Sequence, residues 1–326
     1  MQSYGVQGSA QEGQRLDHAD DVVRVATGIV NTYLVGTADN WFLLDTGMTG
    51  LSQLIKHAAA ARFGADSRPV AIVLTHGHFD HAGNADALAL DWDVPVLAHP
   101  LEVPYLTGRS DYPPVDSSMG GAIATMARAF SRRGRTLGAR LLKLSGDSIP
   151  GVTGWRWLHT PGHTPGHVSL FRASDGTLLA GDAPVTMDMD SWREQVLRTP
   201  QPANPPAPLT TDWQAARRSV EDLALLRPRA VGAGHGLPIA GDGVADALQI
   251  FARTFTPPEG RYSIAPAQAG VDGVEWVPPP VPDPFTRQAA GAAMVAIGLL
   301  GLAAAANRRA GTRGRSIGAD RSRSRE

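Results

Sequence analysis

The chain has 326 residues, of which 43% are hydrophobic and 19% charged, and its formal net charge is −1. This is the composition of a globular protein, and the balanced charge argues against nucleic acid as its main partner. The absence of cysteine excludes disulfides, thiolate metal ligands and a cysteine nucleophile.

The N-terminal half alternates between short strands and helices. Residues 1–20 are polar, without the apolar run of a signal peptide, and predict a disordered tail. The segments "DVVRVAT", "IVNTYLVG" and "NWFLLDTG" then predict three strands, and "LSQLIKHAAAARFG" predicts a helix that ends at Gly64. The apolar run "PVAIVL" predicts a buried strand, which leads directly into "THGHFDH".

The second half repeats this pattern after an interruption. We interpret residues 105–150 as a cap insertion over the opening of a site, because they break the order of strands and helices. Strands are predicted in "GWRWLHT", "HVSLFRA", "TLLAGDA" and "AVGAGH", and a helix follows Thr211 or Asp212 as its N-cap. Strands that occur in runs, covered by helices, predict an α/β fold of packed layers.

The C-terminal part differs in composition from the rest. Residues 256–285 predict a Pro-rich linker, residues 286–309 a hydrophobic helix, and residues 310–326 an Arg-rich disordered tail. The 18 uncharged residues Ala289–Ala306 favour a membrane anchor, with a docked helix as the alternative. The following arginines would keep the tail in the cytoplasm and send the main domain outside, yet no export signal is visible. We therefore predict a cytoplasmic protein, with anchoring by this helix in addition.

The stretch "THGHFDH" concentrates metal-binding side chains in one turn. Divalent ions such as zinc bind imidazole nitrogens and carboxylate oxygens. His76 and His78 could aim at one ion, and Asp80 and His81 at a second, since adjacent residues rarely converge on one point. The spacing alone therefore suggests two metals.

Further candidates follow other predicted strands. "HTPGHTPGH" presents His159, His163 and His167, Asp182 follows "LLAG", and His235 lies between two glycines. Each occupies a tight turn at the end of a strand, so all could gather at one edge of a sheet.

Taken in order, these segments resemble the metallo-β-lactamase-fold hydrolases over roughly residues 20–255. The resemblance implies a catalytic domain over residues 21–255 with the four-layer αββα architecture, in which helices flank two mixed sheets. It also implies one ion held by His76, His78 and His163, and another held by Asp80, His81 and His235. The carboxylate of Asp182 would bridge the two ions.

The implied activity is hydrolysis of a small ester, thioester or lactone by a hydroxide that bridges two divalent metals. Zinc is the expected metal, with manganese and iron as alternatives. Asp80 is the candidate catalytic residue, because it could orient the nucleophile or pass a proton to the leaving group. The expected partner is a small-molecule substrate, and the oligomeric state is left open.

The branch of the family is unresolved between glyoxalase II-like and lactonase-like enzymes. The segment "DAPVTMDMD" lacks the tyrosine typical of lactonases, and no helical substrate domain of glyoxalase II type is evident after His235. One alternative is a mononuclear iron persulfide dioxygenase with a 2-His-1-carboxylate site. Another is a non-catalytic, membrane-tethered scaffold, although all seven ligand positions are filled.

The remaining histidines and one aspartate receive structural roles. Asp45 in "LLDTG" is predicted to be a buried support of the metal turn, and His167 to support the ligands. His159 is predicted to be structural, His99 to lie at a strand end or pocket rim, and two others to lie on the surface. These two are His18 and His57.

Overall fold

Two mixed β-sheets form the centre of the computed structural model, which describes residues 14–283. The first sheet has seven strands that lie side by side in chain order: β1 (Gln14–Leu16), β2 (Ala19–Thr27), β3 (Val30–Thr37), β4 (Asn40–Leu44), β5 (Ile72–Val73), β6 (Val96–Ala98) and β7 (Leu141–Lys143). Strands β1 to β4 pair antiparallel, whereas β4 to β7 pair parallel.

The second sheet has five strands: β8 (Arg156–His159), β9 (Val168–Arg172), β10 (Thr177–Gly181), β11 (Ala230–Ala233) and β12 (Ile239–Ala240). Strands β10 and β11 pair parallel, and the other pairs are antiparallel. A separate hairpin consists of β13 (Gln268–Gly270) and β14 (Gly273–Trp276).

Eight α-helices accompany the sheets in residues 14–283: α1 (Ser52–Phe63), α2 (Ala85–Trp92), α3 (Val103–Leu106), α4 (Gly121–Ala127), α5 (Glu194–Leu197), α6 (Trp213–Leu225), α7 (Val244–Thr254) and α8 (Arg261–Ile264). Short 3₁₀ turns occupy Pro100–Glu102, Ser117–Met119 and Ala207–Leu209. The N-cap of α6 is Asp212, whose carboxylate accepts a hydrogen bond from the Ala215 amide at 2.9 Å, as the sequence predicted.

Three hydrophobic clusters define the order of the layers. One packs the outer face of the first sheet against α1 and α2, including Leu43 and Ile55. A second lies between the sheets, where Phe42 and Leu170 are buried. The third packs the outer face of the second sheet against α6 and α7. The resulting order of helices, sheet, sheet and helices confirms the predicted αββα fold.

Two predicted segments beside the first sheet have different bounds in the structure. Residues 14–20 of the tail predicted over residues 1–20 are folded, because β1 pairs with β2 and buries Leu16; residues 1–13 lie outside the described residues. The cap insertion predicted over residues 105–150 is interrupted by β7, which extends the first sheet beside β6. Between these limits, α4 lies within the segment "MGGAIATMARAF".

The linker predicted over residues 256–285 is instead folded up to Trp276. It contains α8 and the β13–β14 hairpin, and Tyr262 is buried in the cluster beneath α6 and α7. The Ala267 amide donates a hydrogen bond to the carbonyl of Thr211 at 2.9 Å. This segment therefore packs against the domain and is not an extended linker.

The chain divides into one compact unit over Met1–Val281 and another over Pro282–Glu326. No helix within residues 14–283 is long and apolar enough to cross a membrane. The predicted helix over residues 286–309 and the tail over residues 310–326 lie outside the described residues.

Candidate metal centre

The seven predicted ligands lie at the ends of strands. The turn with His76, His78, Asp80 and His81 follows β5, and His163 lies in the turn between β8 and β9. Asp182 follows β10, and His235 follows β11. Because β10 and β11 are parallel, their carboxyl ends open on the same edge of the sheet.

The imidazole half of the centre (His76, His78 and His163) brings three ring nitrogens together. His76 Nε2 lies 2.9 Å from His78 Nδ1, which lies 3.0 Å from His163 Nε2. All three side chains are buried. Such convergence of imidazoles away from solvent is typical of a site for a divalent ion.

The carboxylate half of the centre (Asp80, His81 and His235) lies beside it. His235 Nε2 is 3.6 Å from Asp80 Oδ2. In each half, the candidate ligand atoms lie within 4.8 Å of one another. The structure therefore brings the residues of both predicted groups together.

Asp182 lies between the two halves. Its Oδ2 is 3.3 Å from His235 Nε2, 3.4 Å from His81 Nε2 and 3.5 Å from His163 Nε2. One carboxylate oxygen thus faces histidines of both halves, which is the position that a shared ligand requires.

The outward nitrogens of four histidines are held by other groups. These contacts are His76 Nδ1 with Thr75 Oγ1 at 3.0 Å, His81 Nδ1 with Asp45 Oδ2 at 2.8 Å, His163 Nδ1 with Thr210 Oγ1 at 3.1 Å, and His235 Nδ1 with the Ile29 carbonyl at 2.8 Å. Partners of this kind fix the ring orientation of a metal ligand. They direct all four Nε2 atoms inwards.

Asp45 supports the metal turn, as predicted. Its carboxylate accepts hydrogen bonds from the amide and the hydroxyl of Thr75, both at 2.8 Å, besides contacting His81. Its φ of 57° is a left-handed conformation that is costly for most side chains. The surrounding bonds hold that strained backbone beneath the turn.

Glu102 is a supporting residue that the sequence did not reveal. Its buried carboxylate accepts hydrogen bonds from the Gly77 amide at 2.9 Å, the Thr164 hydroxyl at 2.8 Å and the Gly166 amide at 2.9 Å. The Tyr112 hydroxyl donates a fourth. Glu102 thereby joins the two turns that carry the imidazole half, but a glutamate after "LAHPL" has no pattern that predicts this.

A divalent ion fits the donors that converge here. Asp182 Oδ1 is buried and has no hydrogen-bond partner among residues 14–283. A Cβ atom added to Gly234 would lie 2.1 Å from this oxygen and 2.6 Å from His81 Cε1. The chain thus leaves a carboxylate lone pair unpaired beside a residue without a side chain, and imidazole and carboxylate are suitable ligands for zinc, manganese or iron.

Burial and charge act differently on the two halves. Burial lowers the pKa of His78 to about 4 and holds the pKa values of His76 and His163 well below the ordinary range. Burial also disfavours the charged forms of His81 and His235, but Asp182 and neighbouring carboxylates outweigh it and raise both pKa values.

The other histidines take the predicted supporting or surface positions. His167 Nε2 accepts the Asp182 amide at 2.8 Å and so positions that backbone. His99 and His159 stack with ring centroids 4.1 Å apart, away from the ligand groups. His18 and His57 are exposed.

Comparison with known proteins gives a consistent result. The family model described as "Metallo-beta-lactamase superfamily" matches residues 25–235. The probable metallo-hydrolase YflN of Bacillus subtilis is 37% identical over 238 residues, which cover 72% of this chain and 90% of that protein. The probable metallo-hydrolase YqjP of the same organism is 29% identical over 233 residues, covering 66% and 69% of the respective chains.

Among solved structures, the Rm3 metallo-beta-lactamase aligns with a TM-score of 0.52 at 18% identity. The alignment covers 75% of this chain and 93% of that one. At this identity the likeness concerns the fold alone.

Proposed function

The chain belongs to the metallo-beta-lactamase superfamily, whose members similar to it include probable metallo-hydrolases, and from that premise we propose a two-metal hydrolase of small esters, thioesters or lactones. The observation that carries the proposal is the position of Asp182 Oδ2, within 3.5 Å of histidines from both halves. A mononuclear site, as in the dioxygenase alternative, would need only one half.

In this proposal, the imidazole half would hold one divalent ion and the carboxylate half the other, and Asp182 would serve as a ligand shared between the halves. Zinc is the proposed metal, with manganese and iron as alternatives. Bound ions of this kind lower the pKa of water from 15.7 to about 7 and polarise an acyl oxygen.

The chain supplies orientation and proton transfer. Asp45 fixes the ring of His81, and Glu102 fixes the turns of the imidazole half. In hydrolysis, the oxygen of water bonds to the acyl carbon, the bond to the leaving oxygen or sulfur breaks, and the leaving atom gains a proton. We assign the transfer of that proton to Asp80, whose carboxylate would accept it from the attacking water and pass it to the leaving atom. Asp80 faces His235 at 3.6 Å, and its side chain retains 10% exposure.

The test is elemental analysis of the full chain, purified without chelator, followed by assays on a panel of esters, thioesters and lactones. About two zinc or manganese ions per chain, with hydrolysis of at least one class, is the expected result. About one iron per chain, with oxygen uptake on a persulfide, would replace the proposal with the dioxygenase. Unfolding that is unaffected by chelators, without any turnover, would favour the non-catalytic scaffold.

A further inference from the structure

A cleft adjoins the metal centre on the side of His235. Its walls include Gly236 and Leu237, which directly follow His235, and Ile29, whose carbonyl accepts the hydrogen bond of that histidine. The cleft is open to solvent, and the space between its walls is about 490 Å³ when that solvent is included. A substrate group that leads away from the metals in this direction would enter it.

The floor of the cleft is apolar. Ile123, Met187 and Met189 line it and belong to a small hydrophobic cluster separate from the three clusters of the fold. Methionine side chains adapt to irregular apolar ligands, so this floor suits a hydrocarbon chain better than a polar group.

Two arginines line the same cleft. Arg24 projects from β2, and Arg198 follows α5. The lining residues include no aspartate or glutamate. The carboxylate closest to Arg198 in sequence, Glu194, is bound by Arg193 and by the Thr199 amide.

Arg24 keeps hydrogen-bonding capacity for a ligand. Its Nε donates to Asn31 Oδ1 at 2.7 Å and its Nη1 to Gln14 Oε1 at 3.1 Å. Both partners are neutral, and Arg24 forms no ion pair with a residue in the range 14–283. A guanidinium has five N–H donors, so the charge and several donors remain for an anion. Burial lowers the pKa of Arg24, and the nearby charge of Arg198 lowers it further against an opposing effect of Tyr33.

Asn31 connects this arginine to the metal centre. Its Nδ2 donates to the carbonyls of Ala233 at 2.9 Å and Gly236 at 2.7 Å, on either side of the turn with His235. The guanidinium is therefore fixed relative to the turn that carries a proposed ligand.

We propose that this cleft binds the far end of the substrate, an apolar acyl chain that terminates in an oxyanion held by Arg24 and Arg198. The inference rests on the proposed hydrolase, and it narrows the substrate class to anionic amphiphiles. Arginine pairs bidentately with carboxylate and with phosphate, so either group meets the requirement.

The test compares two p-nitrophenyl esters of equal chain length, the half-ester of suberic acid and the octanoate, on the metal-loaded full chain. Wild-type kcat/KM should favour the half-ester by about 10- to 100-fold, as expected for charge-assisted hydrogen bonds. The double variant Arg24→Gln with Arg198→Gln should lose this preference. The control variant Arg218→Gln removes a positive charge from an exposed position of α6 outside the cleft and should retain the preference.

Arg198→Gln alone serves as a second variant, because the position is exposed and its loss does not threaten folding. It should reduce the preference to an intermediate value. Calorimetric binding of octanoate, octyl phosphate and octanol to the same proteins gives a reading that does not depend on turnover and shows which oxyanion is preferred.

The outcomes separate the two proposals. Equal hydrolysis of both esters by the wild type would overturn the anion site and leave the hydrolase intact. No hydrolysis, together with anion-selective binding that the double variant loses, would preserve the cleft and refute the ester hydrolase. No hydrolysis and no selective binding would refute both.

Discussion

Each half of the candidate metal centre takes two residues from the turn after β5 and one from a later turn, but the halves differ in charge. The imidazole half contains only neutral ligands, and burial keeps the pKa of His78 at about 4. The carboxylate half contains Asp80, and carboxylates raise the pKa values of His81 and His235. Neutral ligands leave the charge of a bound ion uncompensated, whereas a carboxylate offsets part of it. The comparison teaches that one short turn can contribute to two groups of candidate ligands with different electrostatics.

Loss of Asp182 should have the largest effect, because it removes the residue between the halves. Asp182→Ala should lower kcat/KM by more than the roughly 100-fold that loss of a ligand's supporting partner costs. Metal content should fall in the same protein, while circular dichroism should remain close to wild type. Near-wild-type turnover would refute the shared-ligand assignment.

Single-ligand variants test whether the halves are separate. His163→Ala in the imidazole half and His235→Ala in the carboxylate half should each abolish hydrolysis and retain about one ion per chain in elemental analysis. His57→Ala, an exposed histidine of α1, is the matched control and should keep both ions and full activity. Loss of both ions from either ligand variant would show that the halves bind as one unit.

Supporting residues should affect one half more than the other. Glu102→Gln should weaken metal binding in the imidazole half by about 10- to 100-fold and leave the carboxylate half largely intact. Asp45→Asn should have the opposite preference, because Asp45 contacts His81 directly but reaches His76 only through Thr75. Metal titration against a chelating indicator measures the affinity of each half. Equal losses of affinity in both halves of either variant would contradict the assignment of one supporting residue to each half.

The smallest expected effect is the pH dependence of the free energy of unfolding of the chelator-treated protein. In the folded protein the pKa of His78 is about 4, below the ordinary value of 6.5. The unfolded chain therefore binds a proton at this residue first, and the free energy of unfolding decreases as pH falls from about 6.5 to 4. The raised pKa of His235 acts in the opposite direction, and its stabilisation is lost as pH rises through the folded value. Proton NMR titration of the two rings should separate them, and coincident midpoints would contradict the electrostatic difference.

The convergence of the candidate ligands was predictable because each belongs to a short segment at a strand end. A turn that follows an apolar strand carries its own signal in the sequence, as in "LLAGDAP" before Asp182. The αββα fold and the supporting roles of Asp45 and His167 followed from the same segments.

Residues that act over long distances were not predictable. Glu102 reaches Gly166, and Asn31 reaches Gly236, through contacts that no local pattern encodes. Strand β7 was missed because its three residues are partly exposed and lack the alternation of a typical strand. The folded segment after residue 255 was missed because prolines and glycines around Tyr262 favour a linker when packing is not known.

The bonds from Asn31 to the turn with His235 join residues 202 and 205 positions apart. A ribosome that adds about 5 to 20 residues per second needs about 10 to 40 s to cover that distance. During this interval the growing chain acquires His76, His78, Asp80 and His81, and later His163 and Asp182, before His235 is made. Assembly of the full set therefore waits for synthesis of β11 and the turn after it, and a nascent chain that stops before β11 holds six of the seven candidate ligands but lacks His235.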